Sequence, residues 1–135
     1  MNVLVIPMSL PSRANLETGH WARHKLVKIQ RKIVARFLVC LPRPDLPVTV
    51  LLSRISPRLL DSEDNLPMAL KAPRDELADW LGLPNDRDPR CRWLYRQAKD
   101  ELDRPRYQAL RITISPGLHD CPCCGHAVLA PIDYP

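Results

Sequence analysis

The sequence predicts an α/β chain of the α+β kind: one domain with a mixed four-stranded sheet and two helices on one side, in the order β-α-β-α-β-β. Three observations predict it. Short β-branched runs bounded by Pro and polar turn residues recur along the chain. Between them lie two longer stretches whose apolar residues repeat at helical spacing. Finally, 135 residues suffice for one hydrophobic core but not for two.

Asn2 to Met8 is rich in β-branched groups and stops at a Pro-Ser turn signal, so it is expected to be a first strand, with Pro7 at an edge or at the strand's end. Residues 11–20 carry turn residues and lead into a helix from about Trp21 to Cys40. Its apolar face is expected to be Leu26, Ile29, Ile33, Phe37 and Cys40, and its polar face carries Lys25, Lys28, Lys32 and Arg36. Leu41 to Pro47 holds three prolines and is a connector. Val48 to Ser56 is the strongest strand signal, apolar on both faces, which suits a central place in the sheet. A second helical run starts near Asp64 or Asn65, buries Leu66, Leu70, Leu77 and Leu81 with Trp80 at the margin, and ends at Gly82. On a 100° step, Lys71 and Asp75 lie about 20° to either side of Asp64, opposite the core face. Pro73 should kink or split this run near Ala72. Arg90 to Lys99 alternates as a half-buried strand, with Cys91, Trp93 and Tyr95 on one side, and Tyr107 to Ser115 is the last strand. The two helical connections favour crossovers, and the last two strands are expected to pair as a hairpin.

The net charge of +5 is unevenly spread. Arg13 to Arg43 holds eight Lys or Arg against one Glu, Asp61 to Asp88 eight Asp or Glu against three Lys or Arg, and Pro89 to Arg111 seven Lys or Arg against three Asp or Glu. Carboxylates gathered inside a basic protein repel one another unless a cation sits among them, and a divalent metal is the usual one. A cationic periphery in turn suits a polyanion such as nucleic acid, although a solvated helix face accounts for the Lys25 to Arg36 stripe equally simply. No apolar run reaches the length of a membrane span, and Met1 to Leu10 lacks a basic leader and a cleavage site, so no membrane partner and a cytosolic location are expected. Five cysteines, an odd number, argue against a disulfide framework.

Taken singly, Asp64 reads as a helix cap and Asp86 as a turn residue. Together with Arg58, the Asp64-Asn65-Leu66 step, Lys71, Asp75, Leu81-Gly82-Leu83, Asn85-Asp86 and Trp93-x-Tyr95-x-Gln97, with Asn15 and His20-Trp21 upstream, they form an ordered set. From roughly Val3 to Ile114 this set resembles the RusA family of Holliday junction resolvases, homodimeric Mg²⁺-dependent endonucleases of phages and prophages. The resemblance implies that Asp64 and Asp86 are catalytic Mg²⁺ ligands, with Mn²⁺ able to substitute, that Lys71 lies near the scissile phosphate, and that Asp75 supports the acidic cluster. It also implies a homodimer acting on branched DNA in recombination and repair, with Lys25, Lys28, Lys32, Arg36 and Arg58 contacting the DNA. The family's further Asp falls on Ser62, which leaves Asp61 or Glu63 to replace it, and Asp61 is the expected third ligand. The departure at Ser62 keeps a second reading open, a DNA-binding accessory protein that has lost cleavage.

The domain so defined spans residues 1–115. Residues 116–135 form a Cys/His-rich tail in which Cys121-x-x-Cys124-Gly has zinc-knuckle spacing, and His119 and His126 would complete four ligands for a structural Zn²⁺. Cys40 and Cys91, which lack such spacing, are expected to be core thiols.

Overall fold

The strand Val48–Ile55 is buried along its whole length, as its two-faced apolar character requires, and the rest of the chain is arranged around it. The computed structural model describes residues 2–12, 19–61, 65–100, 102, 104–119 and 132–133. In chain order the elements are β1 (Asn2–Pro7), α1 (His20–Leu38), β2 (Val48–Ile55), α2 (Asn65–Ala69), α3 (Lys71–Trp80), β3 (Cys91–Ala98), β4 (Ala109–Pro116) and β5 (Ile132–Asp133). They form a mixed sheet ordered β1-β4-β2-β3-β5, in which the first four strands named are long and β5 contributes two residues.

The α+β class, the mixed sheet and the central β2 are as expected, and Pro7 falls both on an edge strand and at that strand's end. The pairing of the last two long strands is not. β3 runs parallel to β2, while β4 runs antiparallel to both β2 and β1 and lies between them, with Val50 opposite Ile114 and Leu4 opposite Ile112. The expected β3–β4 hairpin therefore does not form. β2 needs a hydrogen-bonded neighbour on each edge, and the ten-residue link from β3 to β4 is long enough to carry the chain across the sheet and fill the second edge.

One face of the sheet supplies Ile6, Val48, Val50, Leu52, Leu110, Ile112 and Ile114 to a single core, which Val34 and Leu38 of α1 and Leu66, Leu70, Leu77 and Leu81 of the α2–α3 segment complete. Both helical segments thus cover the same face. The four leucines are those the periodicity selects. In α1 the period is right but the phase is not. The buried positions are Gln30, Val34 and Leu38, whereas Ile29 and Phe37 are exposed and Cys40 is an exposed thiol. The inward face is rotated by about one residue step, 100°, from the expected one. Gln30 tolerates burial because its side-chain amide donates to the Ser9 carbonyl.

The second helical run breaks at Leu70, two residues before the expected place. Leu70 stands in the N-cap position of α3, so Pro73 falls in the first turn, where no intrahelical partner awaits its missing N–H; the first such bond runs from Arg74 N to Leu70 O at 3.0 Å. At its other end α3 closes on Gly82, whose φ of 78° allows Leu83 N to reach Ala78 O at 2.9 Å and Gly82 N to reach Asp79 O at 3.0 Å. This paired cap satisfies two of the helix's last carbonyls and turns the chain sharply into the Asp86 loop.

Candidate functional site

The cap at Gly82 sets Asp86 against the polar face of α3. Lys71, Arg74 and Asp75 occupy positions i, i+3 and i+4 of that helix and therefore share a face. Lys71 Nζ donates to Asp75 Oδ1 at 3.0 Å and to Asp86 Oδ2 at 2.7 Å, so one ammonium bridges the helix and the loop beyond it. Arg74 donates from Nε to the same Asp86 oxygen at 2.7 Å, with Nη2 also against it. Its Nη1 pairs with the Tyr95 hydroxyl.

β3 forms the back of this cluster. Its alternation points Trp93 and Tyr95 toward α3, and the Arg74 guanidinium lies 5.8 Å from the Trp93 ring centroid and 5.9 Å from that of Tyr95. Trp93 Nε1 donates to the Asp86 carbonyl at 2.9 Å and so fixes the loop's backbone as well. Two residues beyond Tyr95 along the strand, the buried Gln97 side chain holds Leu60, accepting from its N–H at 2.8 Å and donating to its carbonyl. The buried Arg54 guanidinium donates to the carbonyls of Leu10 at 2.8 Å and Arg58 at 2.7 Å. The turn after β2, at Arg58 and Leu60, is thereby tied to β3 and to the segment that follows β1.

The electrostatics follow from these contacts. Hydrogen bonds from Lys71, then from Arg74, hold the Asp86 carboxyl down at about 2. The same bond to Asp86 raises the Lys71 ammonium above its ordinary value against the pull of partial burial. Burial works to lower Arg74, but Tyr95 and Asp86 outweigh it and the guanidinium ends above its usual value. Burial raises the Tyr95 hydroxyl, and it pushes the Cys91 thiol up to about 12, which makes that cysteine an inert core group. Lys71, Arg74 and Asp86 thus stay charged together through the neutral range.

The expected site residues divide into those that meet and those that lie elsewhere. Lys71, Asp75 and Asp86 come together. Asp61 is exposed; its carboxylate accepts from the Asn65 amide and its carbonyl accepts from Leu66 N at 3.0 Å. Asp64, Ser62 and Glu63 lie outside the described residues, as do Asn15, Cys121, Cys124 and His126. Among the described residues no three His, Cys, Asp or Glu side chains form a group able to hold a metal ion. His119 bonds through Nε2 to Ser115 Oγ at 2.9 Å and through its N–H to Thr49 Oγ1 at 3.1 Å, folding the start of the tail over the sheet's second face. Lys25, Lys28, Lys32 and Arg36 all lie exposed on α1, and Arg58 is exposed in the turn after β2.

Arg74 is the residue the sequence reading missed. Its position three residues after Lys71, on the same helical face, was the available signal. A separate cavity of about 680 Å³ opens on the opposite face of the sheet, lined by Leu51, Ser53, Arg96, Lys99, Tyr107 and Arg111 among others. It shares no residue with the Lys71 cluster. Comparison with protein-family models, curated proteins and solved structures finds no significant match to this chain. No helix among the described residues is long and apolar enough to cross a membrane.

Proposed function

We propose that this chain is a metal-assisted endodeoxyribonuclease of the RusA kind, working in the cytosol as a homodimer on branched DNA. The observation that supports this reading best is the meeting of Lys71, Asp75 and Asp86. Each is a site residue by resemblance, and α3, its glycine cap and the following loop bring them into direct contact.

The donor chemistry fits a hard divalent cation. The Lys71 and Arg74 contacts all fall on Asp86 Oδ2, which leaves Oδ1 as an oxygen ligand on a carboxylate that stays ionised down to about pH 2. Asp86, with Asp64 and Asp61 as the resemblance implies, would hold Mg²⁺ or Mn²⁺. When bound, the ion supplies Lewis-acid polarisation of the phosphate and a more acidic water. The chain's own residues divide the remaining work. The Lys71 side chain is 44% exposed against 10% for Asp86 and 23% for Arg74, so Lys71 is the cation that an incoming phosphate meets. Arg74, wedged beside Trp93 and Tyr95, stays in place and keeps Asp86 oriented when Lys71 turns to the phosphate. The exposed basic face of α1 binds DNA backbone.

Nicking of a synthetic four-way junction in Mg²⁺ or Mn²⁺ tests the reading. Cleavage by the wild type, lost in Asp86→Asn and in Asp64→Asn, is the expected result. Equal cutting by both variants would refute the site assignment.

A second reading, a DNA-binding accessory protein without cleavage, is favoured by one feature: Lys71 and Arg74 already balance the charge of Asp86. Junction binding without any cutting would select it.

A further inference from the structure

Helix α1 presents one face that the core does not use. Gln30, Val34 and Leu38 point inward, and on a 100° step the diametrically opposite stripe consists of Trp21, Lys25, Lys28, Lys32 and Arg36. All five are exposed. Between Gly19 and Pro44 the sequence holds no Asp or Glu, so the cations of this stripe have no acidic partner on their own helix. Their spacing of three or four residues sets them about 5 Å apart along the axis, and the stripe runs for about 22 Å.

Trp21 closes one end of the stripe. Among the described residues Trp21 is the most exposed of the large apolar groups, at 86%. It borders an open concavity of about 640 Å³ together with Ala22, His24, Lys25 and Lys28. A large indole held out from an ordered helix forgoes the burial that normally stabilises it, which marks a contact surface. Beside Lys25 and Lys28, its flat apolar face matches a ligand that is at once planar and anionic.

We infer that this stripe is a track for a single nucleic-acid strand, with the Trp21 indole as the platform on which an unpaired base stacks. The inference rests on the nuclease reading and sharpens it: the chain would hold the unpaired nucleotides of a branch point as well as duplex backbone. A duplex offers phosphates to the lysines, but its bases are stacked on each other and present no face to Trp21. A single strand offers both. An anionic membrane would also attract the lysines, yet the stripe holds one apolar side chain among four cations and has little to bury in acyl chains.

The test uses the full chain and three probes: labelled oligo-dT of about 20 nucleotides, a duplex of equal length, and vesicles containing anionic phospholipid, with anisotropy read across a salt series. Oligo-dT should bind the wild type more tightly than the duplex does. Trp21→Ala should weaken oligo-dT binding about ten-fold and change duplex binding by less than about two-fold, while Trp21→Phe keeps most of the affinity. Lys28→Gln should reduce the salt slope for oligo-dT by about 0.7. Unchanged oligo-dT affinity in Trp21→Ala would overturn the inference, as would vesicles that displace the oligonucleotide. The two readings fail separately. A protein that binds oligo-dT through Trp21 but never nicks a junction loses the nuclease reading alone. One that nicks, with Trp21→Ala binding oligo-dT as the wild type does, loses only the strand track.

Discussion

Arg74 and Asp86 set the chemistry of the cluster, and their effects on stability should be separable. Asp86 has a folded-state pKa of about 2 against an ordinary 3.8. A depressed carboxyl contributes stability that is fully present above its unfolded value and is lost as the pH falls through the folded one. The difference in urea midpoint between wild type and Asp86→Asn should therefore be complete at pH 6 and close as the pH falls from 4 toward 2. Arg74→Lys keeps the charge but loses the planar fork shared by Asp86 and Tyr95, and it should cost about 2 kcal/mol in the same assay. A loss below about 0.5 kcal/mol would show that Arg74 is not the anchor of Asp86. The shared face of Lys71 and Asp75 was legible in the sequence from helical spacing, whereas Asp86 read as a turn residue and was joined to them only by the resemblance. Arg74 was not, because an arginine in a charged helix reads as solubility until its partners on β3 are known. The burial of Gln30 was hidden for a similar reason, since its partner is a backbone carbonyl of Ser9 that no side-chain pattern records.

At the scale of elements, α3 owes its placement to its two ends. Gly82→Ala forces a side chain into the left-handed region, where the new methyl would meet only the Arg43 guanidinium at an ordinary 3.5 Å. The cost is then conformational, about 1 kcal/mol. Because the same turn aims Asp86 at Lys71, the proposed junction cleavage should fall along with the melting temperature. Pro73→Ala should be nearly neutral, within about 0.5 kcal/mol, because the N–H it restores has no helical acceptor. A large loss there would mean that Pro73 shapes the break at Leu70. The break itself shows what periodicity alone can and cannot do. Leu66, Leu70, Leu77 and Leu81 were correctly placed inside because a broken helix keeps its apolar face, while the site of the break depends on which residue takes the N-cap. In α1 the signal was ambiguous, since Ile29 and Ile33 on one flank and Val34 and Leu38 on the other are equally apolar. Contact with α3, including the Arg31 pairs with Glu76 and Asp79, selects the second.

For the whole molecule, the +5 charge and its concentration on α1 would make the proposed DNA affinity a function of ionic strength. Replacing Lys25, Lys28 and Lys32 together by Gln should lower the salt slope of junction binding by about 3, with little change in melting temperature. An unchanged slope would remove α1 from the DNA interface. The overall class was legible because strand runs and helical runs alternate cleanly, but the neighbours of each strand were not, since the edges of β2 accept any strand of suitable length and polarity. The choice made there has a bearing on synthesis. Among the described strands β1 is hydrogen-bonded only to β4, and Asn2 is registered with Ile114. β1 leaves the ribosome well before β4 and must therefore wait for nearly the whole of the domain before it can pair, and closing so long a loop is slow. Nascent chains stalled with β4 still in the exit tunnel should show β1 amides exchanging freely, with protection arriving for β1 and the β4 edge of β2 in one step when residue 116 emerges.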